Sequence, residues 1–166
     1  MRILGVVFVG LLVAGCGFRP LYGDSGTGNE IVRESFAGIT VEEPSDRLSQ
    51  ELRNHLIGNL TPRGLSDTPR YALRFDLAED IEGFAFRQDR AVTRERVKLD
   101  ADIVLVDLET DEPVLRDSAT AWAAYDVVQS DYANVISRRD ATSRAADQLA
   151  ERIVSRLALY FRDEAP

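Results

Sequence analysis

The chain has 166 residues, of which 45% are hydrophobic, with 28 acidic and 20 basic side chains and a net charge of −8. That hydrophobic content excludes wholesale disorder, and the length supports one domain with one core. A surface of this sign excludes electrostatic capture of nucleic acid.

The first residues set the compartment. Arg2 is followed by an apolar run over residues 3–13, then Ala14, Gly15 and Cys16, the single cysteine. A membrane-spanning helix needs about 20 apolar residues, so this run is too short to span and has the length of a cleaved signal. Val13, Ala14, Gly15 and Cys16 resemble a bacterial lipobox, with cleavage after Gly15 and acylation of the Cys16 thiol. The ordinary alternative is a plain secretory signal with an incidental cysteine. A lone thiol in an oxidising compartment is a liability that acylation removes. Two or three acyl chains also anchor stably where one does not. Position +2 is Gly17 rather than Asp, which favours the outer membrane. Loss of Arg2 with the signal leaves 28 acids against 19 bases, a net of −9.

Residues 16–30 read as a lipidated N-terminus and flexible tether, with Gly17, Gly23, Gly26 and Gly28 among Asp24, Ser25 and Thr27. Residues 31–166 read as a single domain. Ile39 and Val41 alternate in a first strand over residues 37–41, which Pro44 ends. Ser45 is the expected N-cap of a helix of about 15 residues, with Asp46 in its first turn. Leu48, Leu52, Leu56, Leu60 and Ile57 form its apolar stripe. Thr61, Pro62, Arg63 and Gly64 stop it.

Three strands follow with period-two patterning. Tyr71, Leu73, Phe75 and Leu77 alternate in the first. Val97, Leu99, Ala101, Ile103 and Leu105 alternate in the second. Leu115, Ala119, Ala121, Ala123, Tyr125 and Val127 alternate in the third. A turn at residues 109–113 makes the last two an antiparallel hairpin. Residues 79–93, with Phe84 and Phe86, either extend the preceding strand or form an exposed loop. A long helix follows over about residues 131–161, its stripe running from Ala133 and Ile136 through Leu149, Ile153 and Leu157 to Tyr160. The order β-α-β-β-β-α predicts an α+β two-layer sandwich, with two helices on one face of a mostly antiparallel four-stranded sheet.

No catalytic set emerges, so no enzyme activity and no cofactor are expected. His55 is the single histidine and reads as a surface or boundary residue. Without a second histidine or a free thiol, a zinc-type metal site is not expected. Adjacent acids such as Glu42 with Glu43, and Glu79 with Asp80, read as solvated loop charge. Nineteen of the twenty cations are arginine, Lys98 being the one lysine. A GC-rich genome is the ordinary cause, and bidentate phosphate contact is the functional one. Arg94, Arg96 and Lys98 share one strand face, with Arg87 and Arg90 just upstream. This group is either a solvated outer sheet face, paired with Asp76, Asp100 or Asp102, or a cationic stripe for phosphate groups or an acidic partner. Trp122 falls on the same polar side as Ser118 and Thr120, a weak sign of an interface.

The run Cys16, Gly17, Phe18, Arg19, Pro20, Leu21, Tyr22 and Gly23 resembles the N-terminus of the LptE family of lipopolysaccharide-assembly lipoproteins, particularly its alphaproteobacterial members. The element order, the mature size and the Ala-rich final helix agree with that resemblance. It implies a non-enzymatic outer-membrane lipoprotein on the periplasmic side, plugging the β-barrel of LptD and helping to place lipopolysaccharide in the outer leaflet. In physical terms Phe18, Leu21 and Tyr22 suit the headgroup level or a barrel wall, Arg19 faces anionic headgroups, and Pro20 stiffens the exit from the anchor. Contact of Arg87, Arg90, Arg94, Arg96 and Lys98 with lipopolysaccharide or the barrel is an inference from charge placement. The competing reading is a generic periplasmic-facing lipoprotein module that binds envelope lipid or peptidoglycan without a barrel partner. An envelope hydrolase ranks last, for lack of a nucleophile and base.

Overall fold

A computed structural model describes residues 27–61, 64, 68–86 and 92–164. The elements in order are α1 (Thr27–Ala37), β1 (Ile39–Val41), α2 (Arg47–Leu60), β2 (Tyr71–Phe86), β3 (Val92–Asp107), β4 (Glu112–Asp126) and α3 (Asp131–Glu164). The four strands form one sheet in the order β1-β2-β3-β4. β1 runs parallel to β2, and the other pairs are antiparallel. The fold is the expected α+β layering, with a mostly antiparallel sheet and, among the described residues, three helices where two were expected.

The alternation in the strands sorts residues onto two faces. Leu73, Leu105 and Leu115 lie in one row across the sheet, as do Leu77, Ala101 and Ala119. On this inner face Leu73, Val97, Leu99, Ile103, Leu105 and Ala121 are fully buried or nearly so. α2 adds Leu52, Leu56 and Leu60, and α3 adds Ala145, Leu149, Ile153 and Leu157 to the same cluster. Ala141, Ala145, Ala146 and Ala150 of α3 and Ala119, Ala121 and Ala123 of β4 are buried in this cluster, so small side chains fill much of the space between helix and sheet.

Several boundaries differ from the sequence expectation. α1 takes in residues 27–30, assigned above to the tether. Gly28 suggests coil, but further along the same helix Phe36 is buried and meets the ring of Phe161 edge-on at 6.3 Å, a partner supplied by the far end of the chain. The N-cap of α2 is Asp46, not Ser45. Its backbone is extended, and its carboxylate accepts the Ser49 N–H at 2.9 Å. Both residue types cap well, and the backbone path decides between them. β1 begins at Ile39, after Gly38. β2 runs on through Glu79 to Phe86, with a register shift between Gly83 and Ala85. The β3–β4 turn falls at residues 108–111 rather than 109–113, starting one position and ending two positions earlier than expected. Asp111 adopts a left-handed φ of 55° there. Asp tolerates that conformation better than most residues. β4 ends at Asp126, before Val127, and Ile136, expected on the apolar stripe, is exposed.

Candidate functional site

Gly15, Cys16, Phe18, Arg19, Pro20, Leu21 and Tyr22 lie outside the described residues, as do Arg87 and Arg90. Arg94, Arg96 and Lys98 lie on the outer face of β3, opposite the helices. The pleat puts them there because Val97 and Leu99 point into the core.

Each of these three cations meets a carboxylate. Arg94 pairs with Asp126 at 2.9 Å. Arg96 donates to Glu82 through Nε at 2.8 Å and Nη2 at 2.6 Å. Lys98 pairs with Asp100 at 2.8 Å, and Asp100 also accepts the Thr120 hydroxyl at 2.6 Å. The register explains the partners: Glu82 lies directly opposite Arg96, and Asp126 directly opposite Arg94. Hydrogen bonds from Arg96 hold the Glu82 carboxyl below its ordinary pKa. Hydrogen bonding to Asp100 pushes the Lys98 ammonium up, and the bonds from Lys98 and Thr120 hold Asp100 down. The stripe is therefore one half of a zwitterionic ladder, whose side chains are a third or more exposed.

Aromatic rings flank the ladder. Trp122 is 51% exposed and lies beneath the Arg96 guanidinium, 5.9 Å from its ring centroid. Phe84, at the register shift, is also exposed, and Arg94 lies 5.7 Å from its centroid. Such stacking stabilises by about 0.5–1 kcal/mol at exposed sites. It presents planar apolar surface next to charge, a composition that suits recognition of amphipathic groups. The sequence placed Trp122 on this face, but its stacking on Arg96 depends on register.

The other singled-out residues lie elsewhere. His55 is half-buried on α2, with Nδ1 at 3.2 Å from Asp147 of α3, so it joins two helices. Among the described residues, no group of three or more His, Cys, Asp or Glu side chains is placed to hold a metal ion, and no helix is long and apolar enough to cross a membrane. A second exposed apolar group was missed in the sequence. Val128, Tyr132, Val135 and Ile136 lie on and before the first turns of α3. The signal was available, since Tyr132, Val135 and Ile136 have helical spacing.

The two-layer α+β fold is shared with bacterial lipoproteins of known structure. A candidate lipoprotein from Caulobacter crescentus CB15 matches with a TM-score of 0.67 and 24% identity, over 81% of this chain and 98% of that one. The rare lipoprotein B from Shewanella oneidensis matches with a TM-score of 0.55 and 12% identity, over 73% of this chain and 92% of that one. At these identities the likeness establishes the fold alone. The chain belongs to the LptE family, described as lipopolysaccharide-assembly, whose family model matches residues 36–157. An uncharacterized protein of Rickettsia prowazekii (strain Madrid E) is 24% identical over 161 residues, which cover 97% of this chain and 98% of that one.

Proposed function

We propose that this protein is a non-enzymatic outer-membrane lipoprotein, anchored through Cys16 on the periplasmic side, which assembles with an LptD-type β-barrel as its plug in lipopolysaccharide transport. The observation that carries the reading is the family match over residues 36–157, which takes in all four strands, α2 and most of α3. The lipobox-like sequence ending at Cys16 supports the anchor, since acylation there ties the domain to a membrane. The charge-paired outer face with Trp122 and Phe84 supports a binding surface that alternates charge with apolar rings. Such a face suits the phosphates and sugars of lipopolysaccharide or the polar lumen of a barrel.

The test is in-cell crosslinking of the full chain, followed by purification of outer membranes and mass-spectrometric identification of what it captures. Recovery of a large outer-membrane β-barrel, with loss of surface lipopolysaccharide on depletion, is the expected result. Recovery as a free lipoprotein, with normal surface lipopolysaccharide after depletion, would return the protein to the generic binding-module reading.

A further inference from the structure

The two edges of the sheet are treated differently. Along β4, α3 reaches over the edge with arginines: Arg144 donates to the Ala124 carbonyl at 3.1 Å, and Arg152 donates to the Thr120 carbonyl. Side chains thus occupy the acceptors that another strand would use.

Among the described residues, β2 has no such cover over much of its length. β1 pairs with it at Tyr71, Ala72 and Leu73 only, and the last bond of that pairing runs from Glu42 N–H to the Leu73 carbonyl. Pro44 then prevents β1 from continuing along β2. Backbone groups in a strand alternate sides, so the outward groups beyond Leu73 belong to Phe75, Leu77, Glu79 and Ile81. Asp80 caps the Ile81 N–H with its own carboxylate at 2.9 Å. The N–H and C=O groups of Phe75, Leu77 and Glu79 have no outward backbone partner among the described residues. Beside them lies an open groove of about 370 Å³ between residues 42–46 and residues 75–77, in line with β1.

Charge selects the occupant. On the outer face Asp76 lies directly opposite Asp102, and both are exposed with no cation on either among the described residues. Like charges so placed repel, and a cation on a neighbouring strand would relieve them. Glu43 lines the same groove. A second copy of this edge would oppose its own Asp76, Glu79 and Asp80, so self-pairing is disfavoured. On the inner face the half-buried Phe75 and Leu77 flank the groove and offer apolar contact.

We propose that the β2 edge at residues 75–79 receives an extended segment of a partner protein as an added strand, with a lysine or arginine on the side of Asp76 and apolar residues on the side of Phe75 and Leu77. The segment takes the row that β1 begins and Pro44 vacates. Main-chain hydrogen bonds supply affinity, and the alternating side chains supply selectivity. This inference stands independently of the lipopolysaccharide-assembly reading, because its probe contains neither lipid nor barrel.

The experiment uses the full chain in detergent with three short synthetic peptides. One alternates lysine and valine, one is the same peptide with alternate amides N-methylated, and one alternates glutamate and valine. Residue-resolved hydrogen exchange is followed with each. The lysine–valine peptide is expected to slow exchange of the Phe75, Leu77 and Glu79 amides by at least about tenfold, and the other two to have no effect. Asp76→Lys is expected to weaken that peptide at least about tenfold while the thermal midpoint holds or rises, since the Asp102 repulsion is relieved. Equal binding of the N-methylated or acidic peptide overturns the proposal. So does slow exchange of these amides before any peptide is added, or self-association of the free chain through the β2 edge.

Discussion

The Arg96 guanidinium grips the Glu82 carboxylate across the β2–β3 ladder through Nε and Nη2, and the same guanidinium lies over the Trp122 ring on the next strand. A cation with two such partners is already committed to a geometry on its own surface. Recruiting it to a phosphate means sharing or exchanging Glu82, so its contribution to binding is separable from its contribution to folding. A double-mutant cycle with Arg96→Ala and Glu82→Ala is expected to give only a small coupling in chemical denaturation, because both side chains are more than a third exposed and solvent screens the pair. Charge reversal of Arg94, Arg96 and Lys98 to Glu is expected to reduce binding to lipopolysaccharide or to the crosslinked barrel at least about tenfold. Unchanged binding in that triple variant would leave the ladder as a solvated sheet face.

Anchoring gives the next prediction. Cys16→Ala is expected to abolish acylation and release the protein from the membrane fraction, as unprocessed or soluble chain. Metabolic labelling with an alkyne fatty acid followed by fractionation checks both. Retention in the membrane at the native level would refute the anchor.

The pH dependence has two arms of opposite origin. Hydrogen bonds from Ser49, its hydroxyl first and its backbone N–H after it, hold the Asp46 carboxyl below its ordinary value of 3.8, and those from Lys98 and Thr120 do the same for Asp100. A depressed folded-state pKa contributes stability that is present above the unfolded value and lost as pH falls through the folded one. Stability should therefore fall as pH drops below about 4. Asp46→Asn should keep most of the cap at neutral pH and flatten that acid loss, whereas Asp46→Ala should cost about 1 kcal/mol at neutral pH. At the alkaline end, burial and then the hydrogen bond to Glu95 push the Tyr125 phenol up to about 12. Its stabilisation is intact below its ordinary value of 10.0 and is lost as pH rises toward 12. Tyr125→Phe should remove that alkaline sensitivity in thermal melts followed by circular dichroism.

How far the sequence could be read depended on whether a feature was local. The β3 pattern from Val97 to Leu105 was legible because one face is buried along its whole length, and a period of two has one physical cause. The α2 stripe from Leu52 to Leu60 was legible for the same reason at a period near four. α1 was not, since Phe36 is held by Phe161 and nothing near it in the chain announces that partner. The face of Arg94, Arg96 and Lys98 could be assigned, but not their pairing. Their partners follow from the register that sets Glu82 opposite Arg96 and Asp126 opposite Arg94, and alternation does not fix register. Ile136 was misplaced because a helical period says which residues share a face, not how far the neighbouring layer extends beneath it.

Phe161 tests the long-range part of that argument. Its ring packs edge-on against Phe36 and Tyr160 and tilted against Tyr71 at 5.2 Å, so it ties α1, α3 and the start of β2 together. Phe161→Ala is expected to cost about 3–5 kcal/mol in guanidinium unfolding. If α1 is held mainly by this contact, amide protection over Thr27–Ala37 should fall far more than protection over β3. Equal loss in both would mean that α1 is integral to the global cooperative unit.

The arginines over the β4 edge give the last prediction. Arg144 is steered by Asp140, one turn earlier on α3, at 2.9 Å, and reaches Ala124; Arg152 reaches Thr120; and Arg156 meets Asp117 at 2.6 Å. Ala124 and Thr120 are four residues apart, so their carbonyls point out of the same edge, at the spacing another strand would read. Removing Arg144 and Arg152 together, each to Ala, exposes these acceptors while the core alanines beneath α3 stay in place. The double variant is expected to lose about 1–3 kcal/mol, from two hydrogen bonds with charged donors. It is also expected to self-associate with rising concentration in sedimentation velocity, because an uncovered edge is a template for pairing. Arg144→Lys with Arg152→Lys keeps charge at the edge and should stay monomeric. A monomeric double-alanine variant would mean that the body of α3, rather than its arginines, closes this side. The difference between the two sheet edges would then lie in helix placement alone.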